Sequence, residues 1–77
     1  MNRSEIGKRL VELRGDRSQA QVAQALEIST AAVGMYERGE RIPRDEIKVK
    51  LARFYGVLVG DIFYPENDTD SVEKAAI

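Results

Sequence analysis

Hydrophobic residues recur along this chain at spacings of three and four, the period of helices that each bury one face. In the first such stretch, Ile6, Leu10 and Leu13 share a face behind a helix start at Ser4. The pattern predicts five helices, near residues 4–14, 19–26, 30–38, 44–55 and 59–64, and no strand. We therefore expect an all-α domain over residues 1–64, followed by an acidic, flexible tail at 65–77.

The segment from Ser18 to Gly39 predicts two short helices on either side of a tight break. Ser18 and Gln21 have the spacing of a capping box, in which each side chain bonds the other residue's backbone N–H. Ser29 is a second N-cap candidate, and Gly39 suits a left-handed turn at the helix end. Two capped helices about three residues apart must cross steeply, which is the helix-turn-helix geometry. That geometry exposes one helix of a size that enters a DNA major groove.

The composition excludes most classes of enzyme. The 77 residues contain no Cys and no His, which removes disulfides, thiolate metal sites and histidine-based catalysis. No carboxylates are paired as acid–base catalysis requires, and no glycine-rich phosphate loop is present. We therefore expect no enzymatic activity, metal, cofactor or small-molecule ligand. No apolar run approaches the roughly 18 residues of a membrane span, and a cytoplasmic location is expected.

The net charge of −1 is unevenly distributed. Residues 1–64 hold 11 Lys and Arg against 9 Asp and Glu, whereas residues 65–77 carry a net charge of −3. Arg38, Arg41 and Arg44 follow one another closely after the second helix of the motif. Because salt screens charge over about 8–10 Å, a local basic cluster can bind phosphate although the whole chain is acidic.

Five segments, in this order, resemble the lambda-repressor-like family of Cro/CI and XRE-type helix-turn-helix proteins. They are LVELR, SQAQVAQAL, the pattern S-T-x-x-V-x-x-Y-E-R-G, the R-x-P link and LARFYGV-x-V-x-DIF, which together span roughly residues 5–64. The resemblance implies a compact five-helix domain, usually dimeric, that binds a pseudo-palindromic operator in double-stranded DNA. It also implies a bacterial, phage or mobile-element regulator of transcription.

By motif position, the resemblance assigns the base-reading surface to Ser29, Thr30, Ala31, Gly34 and Met35. This surface has no Arg, Asn or Gln for the bidentate contacts that dominate direct readout of bases. One interpretation is that Ala31, the Thr30 methyl group and Met35 contact thymine methyl groups, while Gly34 allows close approach to DNA. The alternative is that these are ordinary surface positions and that DNA is read by shape, or not at all.

The resemblance also indicates phosphate contacts on either side of the reading helix. Gln19 lies at a helix N-terminus, where free amides favour an anion, and Arg17 is a weaker candidate beside it. Arg38, Arg41 and Arg44 lie around the link to the fourth helix. A cation such as Arg44 is unfavourable at a helix N-terminus, which favours an outside anion there. For all five residues the alternative is an ordinary solvated side chain.

Two further sets of residues have expected roles. By family position, Arg14 and Glu37 face each other between the first and third helices and are expected to form a structural ion pair that orients the reading helix. Val57, Leu58 and Tyr64 have no place in the core pattern, and they are candidates for a small apolar dimer contact.

The chain departs from the family pattern at three points. Glu27 stands in the turn where the family usually has Gly, which predicts an altered or strained turn. The link of residues 15–17 is about two residues shorter than is common. Leu58 replaces the hydroxyl residue that normally caps the fifth helix, so that the start of this helix should be less well fixed.

The function best supported by the sequence is sequence-specific binding of double-stranded DNA by a small dimeric transcriptional regulator, a repressor. One alternative is an antitoxin-type regulator that also binds a toxin through its acidic tail or fourth helix. Another is a protein-interaction module that does not bind DNA. Salt-sensitive, sequence-selective gel retardation would separate the first possibility from the last.

Overall fold

Five helices make up most of residues 2–65, the part of the chain that the computed structural model describes. They are α1 (Arg3–Arg14), α2 (Gln19–Leu26), α3 (Thr30–Glu37), α4 (Asp45–Tyr55) and α5 (Val59–Phe63). The predicted all-α class is confirmed, and residues 2–65 contain no strand. No helix in this range has the length and apolarity needed to cross a membrane. The predicted acidic tail, apart from Pro65, lies outside the described residues.

The first helix begins earlier than its hydrophobic pattern predicts. Asn2 is the N-cap, and its Oδ1 accepts a hydrogen bond from the backbone N–H of Glu5 at 3.1 Å. Ser4 is therefore inside the helix, and the prediction that it starts α1 is wrong. Asn and Ser are about equally good N-caps, so the choice is not visible in the sequence.

The two helices of the central motif are capped as predicted. Ser18 Oγ accepts from Gln21 N–H at 3.0 Å, and the Gln21 side chain accepts from Ser18 N–H at 2.7 Å. Ser29 Oγ accepts from the N–H of Ala32 at 3.0 Å at the start of α3. Between the helices Glu27 adopts a left-handed conformation, with φ 60° and ψ 42°. The turn thus keeps the backbone for which Gly is the usual residue, at a cost of about 1–2 kcal/mol.

The third helix ends at a glycine, as predicted. Gly39 has φ +74°, and the N–H of the following Glu40 donates to Met35 O at 2.9 Å. Gly39 N–H donates to Tyr36 O at 3.2 Å, which completes a Schellman motif. A Cβ on Gly39 would also lie 3.0 Å from the carbonyl oxygen of Arg3. Gly39 therefore both ends α3 and allows it to lie close to the start of α1.

The core is formed by one apolar face from each helix. α3 packs against both α1 and α2, α4 packs against α2 and α5, and α5 packs against α1. The buried hydrophobic side chains are Ile6, Leu10, Val22, Ala23, Leu26, Val33, Ile47, Leu51, Ala52, Ile62 and Phe63. This closed ring of contacts holds α3 from two sides and fixes its direction.

The fifth helix is short and capped only in part. Leu58 provides no side-chain cap, and Asp61 Oδ2 accepts from the N–H of Leu58 at 3.0 Å. That bond is one half of a capping box, because a Leu side chain cannot supply the other half. Ile62 and Phe63 are buried, whereas Val59 is only partly buried.

Lys48 is buried, although its position in the sequence places it outside the apolar stripe of α4. Only 6% of the residue is exposed, and its Nζ donates to the Tyr64 hydroxyl at 2.7 Å. The ammonium also lies 5.6 Å from the centre of the Phe63 ring and 3.5 Å from Asp45 Oδ1. The long aliphatic stem can line the core while the charged end keeps polar and aromatic partners.

Candidate nucleic-acid interface

The N-terminal turn of α3 is exposed, whereas the opposite face of the helix is packed. Ser29, Thr30 and Ala31 are open to solvent. Val33 is 3% exposed in the core, and Tyr36 packs against the core from its edge. Met35 is half-buried. The predicted base-reading positions therefore divide into an exposed turn at 29–31 and a more covered part further along α3.

Glu37 connects α3 to both preceding helices. Its Oε2 accepts from Arg14 Nε at 2.7 Å, which is the predicted ion pair between α1 and α3. Its Oε1 accepts from Gln19 Nε2 at 2.9 Å. Only 4% of the Glu37 side chain is exposed. The hydrogen bond to Glu37 raises the pKa of Arg14 above its ordinary value, and the ion pair joins the end of α3 to the end of α1.

Gln19 is therefore already engaged within the fold. The same side chain was expected to contact phosphate, and it remains half-exposed at the first turn of α2. The leading backbone N–H groups of a helix have no partner within it, so the start of α2 can still meet an anion. The phosphate contact stays a prediction, supported by the backbone more than by the side-chain amide.

Gly7 allows the close approach of α1 to the end of α3. A Cβ at this position would collide with the carbonyl oxygen of Glu37 and lie 2.9 Å from its carbonyl carbon. The neighbouring atoms are backbone, so they cannot rotate away as a side-chain end can. Gly7 was not singled out from the sequence, although a Gly between Ile6 and Leu10 on a helix is itself unfavourable enough to be a signal.

Arg17 lies against α4. Its guanidinium carbon is 5.2 Å from the centre of the Phe54 ring and 5.9 Å from that of Tyr55. Its Nη1 also donates to the carbonyl of Leu13 at 3.3 Å, near the end of α1. Arg17 thus fastens the short link between α1 and α2 to the aromatic end of α4, an arrangement that a charge count cannot reveal.

Arg38 folds back along α3. Its Nε donates to Glu40 Oε2 at 2.7 Å and its Nη2 to Glu40 Oε1 at 3.2 Å. The hydrogen bond raises the pKa of Arg38 and lowers the pKa of Glu40, although both groups are exposed. Gly34, expected on the exposed reading face, is buried. The nearest atom to a Cβ built on it is Arg38 Nη1, at 2.8 Å.

Arg41 and Arg44 are the two predicted phosphate ligands that remain uncommitted. Both are exposed, and neither side chain makes a hydrogen bond or ion pair within residues 2–65. Arg44 is the N-cap of α4 and provides no side-chain cap. The local positive charge that can act on a partner is therefore smaller than the sequence indicates, and it lies in the link between α3 and α4.

The three candidates for a dimer contact differ in exposure. Leu58 is 72% exposed. Val57 and Tyr64 pack against the core, and the Tyr64 hydroxyl accepts from Lys48. The expectation that Val57 and Tyr64 have no place in the core is wrong, because both are partly buried against it. Leu58 is the most exposed of the three.

Comparison with known proteins gives one clear match. A family model described as helix-turn-helix matches residues 8–62, well over half of the chain. The match includes α2, α3 and the links before α2 and after α3, and thus all the predicted DNA-contact residues. No curated protein and no solved structure matches the chain.

Proposed function

The chain belongs to the Cro/CI-type helix-turn-helix family of DNA-binding transcription regulators, and we propose that it binds a specific operator in double-stranded DNA and represses transcription. The observation that carries the proposal is the exposed first turn of α3, on a helix whose last residue, Glu37, bonds Arg14 of α1 and Gln19 of α2. An exposed helix end on a fixed scaffold is what major-groove recognition requires. A protein with this role acts in the cytoplasm, beside the DNA that it regulates.

Bases are contacted by the exposed turn of α3. Thr30 and Ala31 present methyl groups there, and Met35 lies partly covered further along the helix. Apolar contact with the C5-methyl group of thymine is an established form of direct readout. Replacing operator thymines by uracil removes those methyl groups and is expected to weaken binding. Unchanged affinity would exclude methyl recognition.

Arg41 and Arg44 contact phosphates beside α3. The start of α2 at Gln19, together with Arg17 in the link before it, provides a further phosphate contact. Each neutralised phosphate adds about 0.9 to the slope of log affinity against log salt. Arg44→Ala is therefore expected to weaken binding to all duplexes and to lower that slope by about 0.9 for each copy of the chain bound. Arg53→Ala is the matched control, because Arg53 is an exposed cation about 13 Å further along α4.

The operator is bound by two copies of the chain. Two reading helices would contact half-sites about 34–36 Å apart, one turn of the double helix. Leu58 is the exposed apolar residue that supports such a contact. Leu58→Ser is expected to reduce self-association in sedimentation experiments while stabilising the fold, since Ser can cap α5. A variant that associates as strongly as the wild-type chain would exclude Leu58 from the interface.

The proposal is tested by selecting duplexes from a random pool with the whole chain and measuring affinity at two salt concentrations. A regulator selects one related set of sequences and loses affinity as salt rises. Binding without enrichment of any sequence would contradict operator recognition. No binding at low salt would support the interaction module instead.

A further inference from the structure

A guanidinium lies on the predicted reading face of α3, although the residues of that face include no Arg. Positions 29–35 contain no Arg, Asn or Gln. Arg38, one helical turn beyond Gly34, extends back so that its Nη1 occupies the space where a residue-34 side chain would begin, 2.8 Å from the built Cβ. Resting on the proposed DNA binding, we infer that Arg38 reads a guanine of the operator from this position.

Glu40 leaves one side of the guanidinium available to a base. It accepts from Nε at 2.7 Å and from Nη2 at 3.2 Å, the two groups on one edge of the planar fork. Nη1 makes no hydrogen bond within residues 2–65. An Arg has five N–H donors, so the Nη1–Nη2 edge can donate two parallel bonds. Guanine O6 and N7 accept such a pair in the major groove.

Gly34 makes this placement possible. Gly is among the residues least favourable to a helix interior. At position 34 it is buried, and the Arg38 guanidinium is the nearest group in the direction of the missing side chain. Any larger residue would push the guanidinium away from the helix. Gly34 is thus a positioning residue for Arg38.

The pair with Glu40 favours a base over a phosphate as the partner of Arg38. The carboxylate balances the charge of the guanidinium and would itself repel a phosphate close by. Base-edge acceptors carry no full charge, and their recognition depends on the direction of the donors, which Glu40 fixes. The sequence-based expectation of a phosphate contact for Arg38 is the competing interpretation, and the two make different predictions.

The inference is tested by repeating the selection from random duplexes with Arg38→Ala and Arg38→Lys. The wild-type chain is expected to require a guanine at one position of each half-site. Both variants are expected to lose that preference, to keep the others, and to bind about 5- to 150-fold more weakly for each half-site. Because 58% of the Arg38 side chain is exposed, both variants should remain folded, which thermal unfolding checks.

Two further variants separate base reading from general electrostatics. Glu40→Gln makes the chain more positive, so its affinity for unrelated duplexes should rise while its guanine preference falls. Gly34→Ala should raise the melting temperature, because Ala favours the helix, and yet weaken the guanine preference. A merely structural role for either residue would not produce these opposed changes.

Several outcomes would overturn the inference alone. One is a guanine preference that survives in Arg38→Ala, and another is a selected half-site without guanine. A third is an equal loss on every duplex with a salt slope lower by about 0.9 for each copy of the chain bound, which is the mark of a phosphate contact. If the wild-type chain selects no sequence, the proposed function fails and this inference fails with it.

Discussion

Glu37 is the side chain through which α3 bonds both helices that precede it. We consider Glu37→Gln, which keeps the size of the side chain but removes its charge. In the wild-type chain the carboxylate accepts from Arg14 at 2.7 Å and from Gln19 at 2.9 Å, and it is 4% exposed. A Gln can present its single carbonyl oxygen to only one of these donors, and its NH₂ group then faces the other donor.

The expected loss of stability in Glu37→Gln follows from these contacts. A hydrogen bond to a charged group contributes about 1.5–3 kcal/mol, and leaving a buried donor without a partner costs a similar amount. Arg14 keeps 21% of its side chain exposed, so water can replace part of what it loses. We expect Glu37→Gln to lower the free energy of unfolding by about 2 kcal/mol. A chain of this length is stabilised by only about 4–12 kcal/mol, so the loss is large.

Urea unfolding followed by circular dichroism measures this loss directly. Glu12→Gln is the matched control, because Glu12 is an exposed acid on α1 whose side chain makes no ion pair or hydrogen bond within residues 2–65. The control should change stability by less than about 0.5 kcal/mol. A double-mutant cycle with Arg14→Met should show positive coupling between the two sites. If Glu37→Gln were no more destabilising than Glu12→Gln, the role assigned to Glu37 would be wrong.

Three other predictions follow from single positions. Gly7→Ala should lower the free energy of unfolding by about 2 kcal/mol or more, since the new Cβ meets the backbone of α3; a stabilised variant in urea unfolding would refute this. Glu27→Gly should raise the free energy of unfolding by about 0.5–1 kcal/mol, because it relieves the left-handed conformation and this gain exceeds the cost of the greater chain entropy of Gly. Calorimetry that shows no gain in stability would count against strain at Glu27. The Glu40 carboxyl should titrate below the ordinary range for Glu, because Arg38 lowers its pKa. The ionised Glu40 carboxylate therefore stabilises the fold at pH values above the ordinary pKa of Glu. This contribution to stability is lost as the pH falls through the lowered pKa of Glu40. Carboxyl NMR should show this shift, and Arg38→Ala should abolish it.

Local signals in the sequence are sufficient to predict most of the helices. Ser18, Ser29 and Gly39 act through bonds to residues within a few positions, so their effect is visible in a short window. The same holds for the apolar spacing that buries Ile6 and Leu10. The start of α1 is an exception. Asn2 and Ser4 are about equally good N-caps and lie two residues apart, so local preference does not choose between them.

Contacts between distant residues could not be predicted in the same way. Lys48 is buried because Tyr64 and Phe63, on another helix, provide its partners. Arg17 is an expected phosphate ligand from its position, yet its guanidinium lies on the rings of α4. A count of charged residues treats all cations alike, whereas the fold commits some of them internally. Arg41 and Arg44 are exposed in the link between α3 and α4, and their contact with phosphate stays a prediction.

The most direct test of the central claim is to follow the backbone amides by NMR while the whole chain is titrated with its selected duplex. Proposed DNA binding through α3 predicts that the largest shifts fall on residues 29–38 and 41–44, with smaller ones at the start of α2. The exposed surface around Leu58 should change little beyond what dimerisation produces. Shifts confined to α4 and α5, with residues 29–31 unaffected, would contradict DNA recognition by this helix.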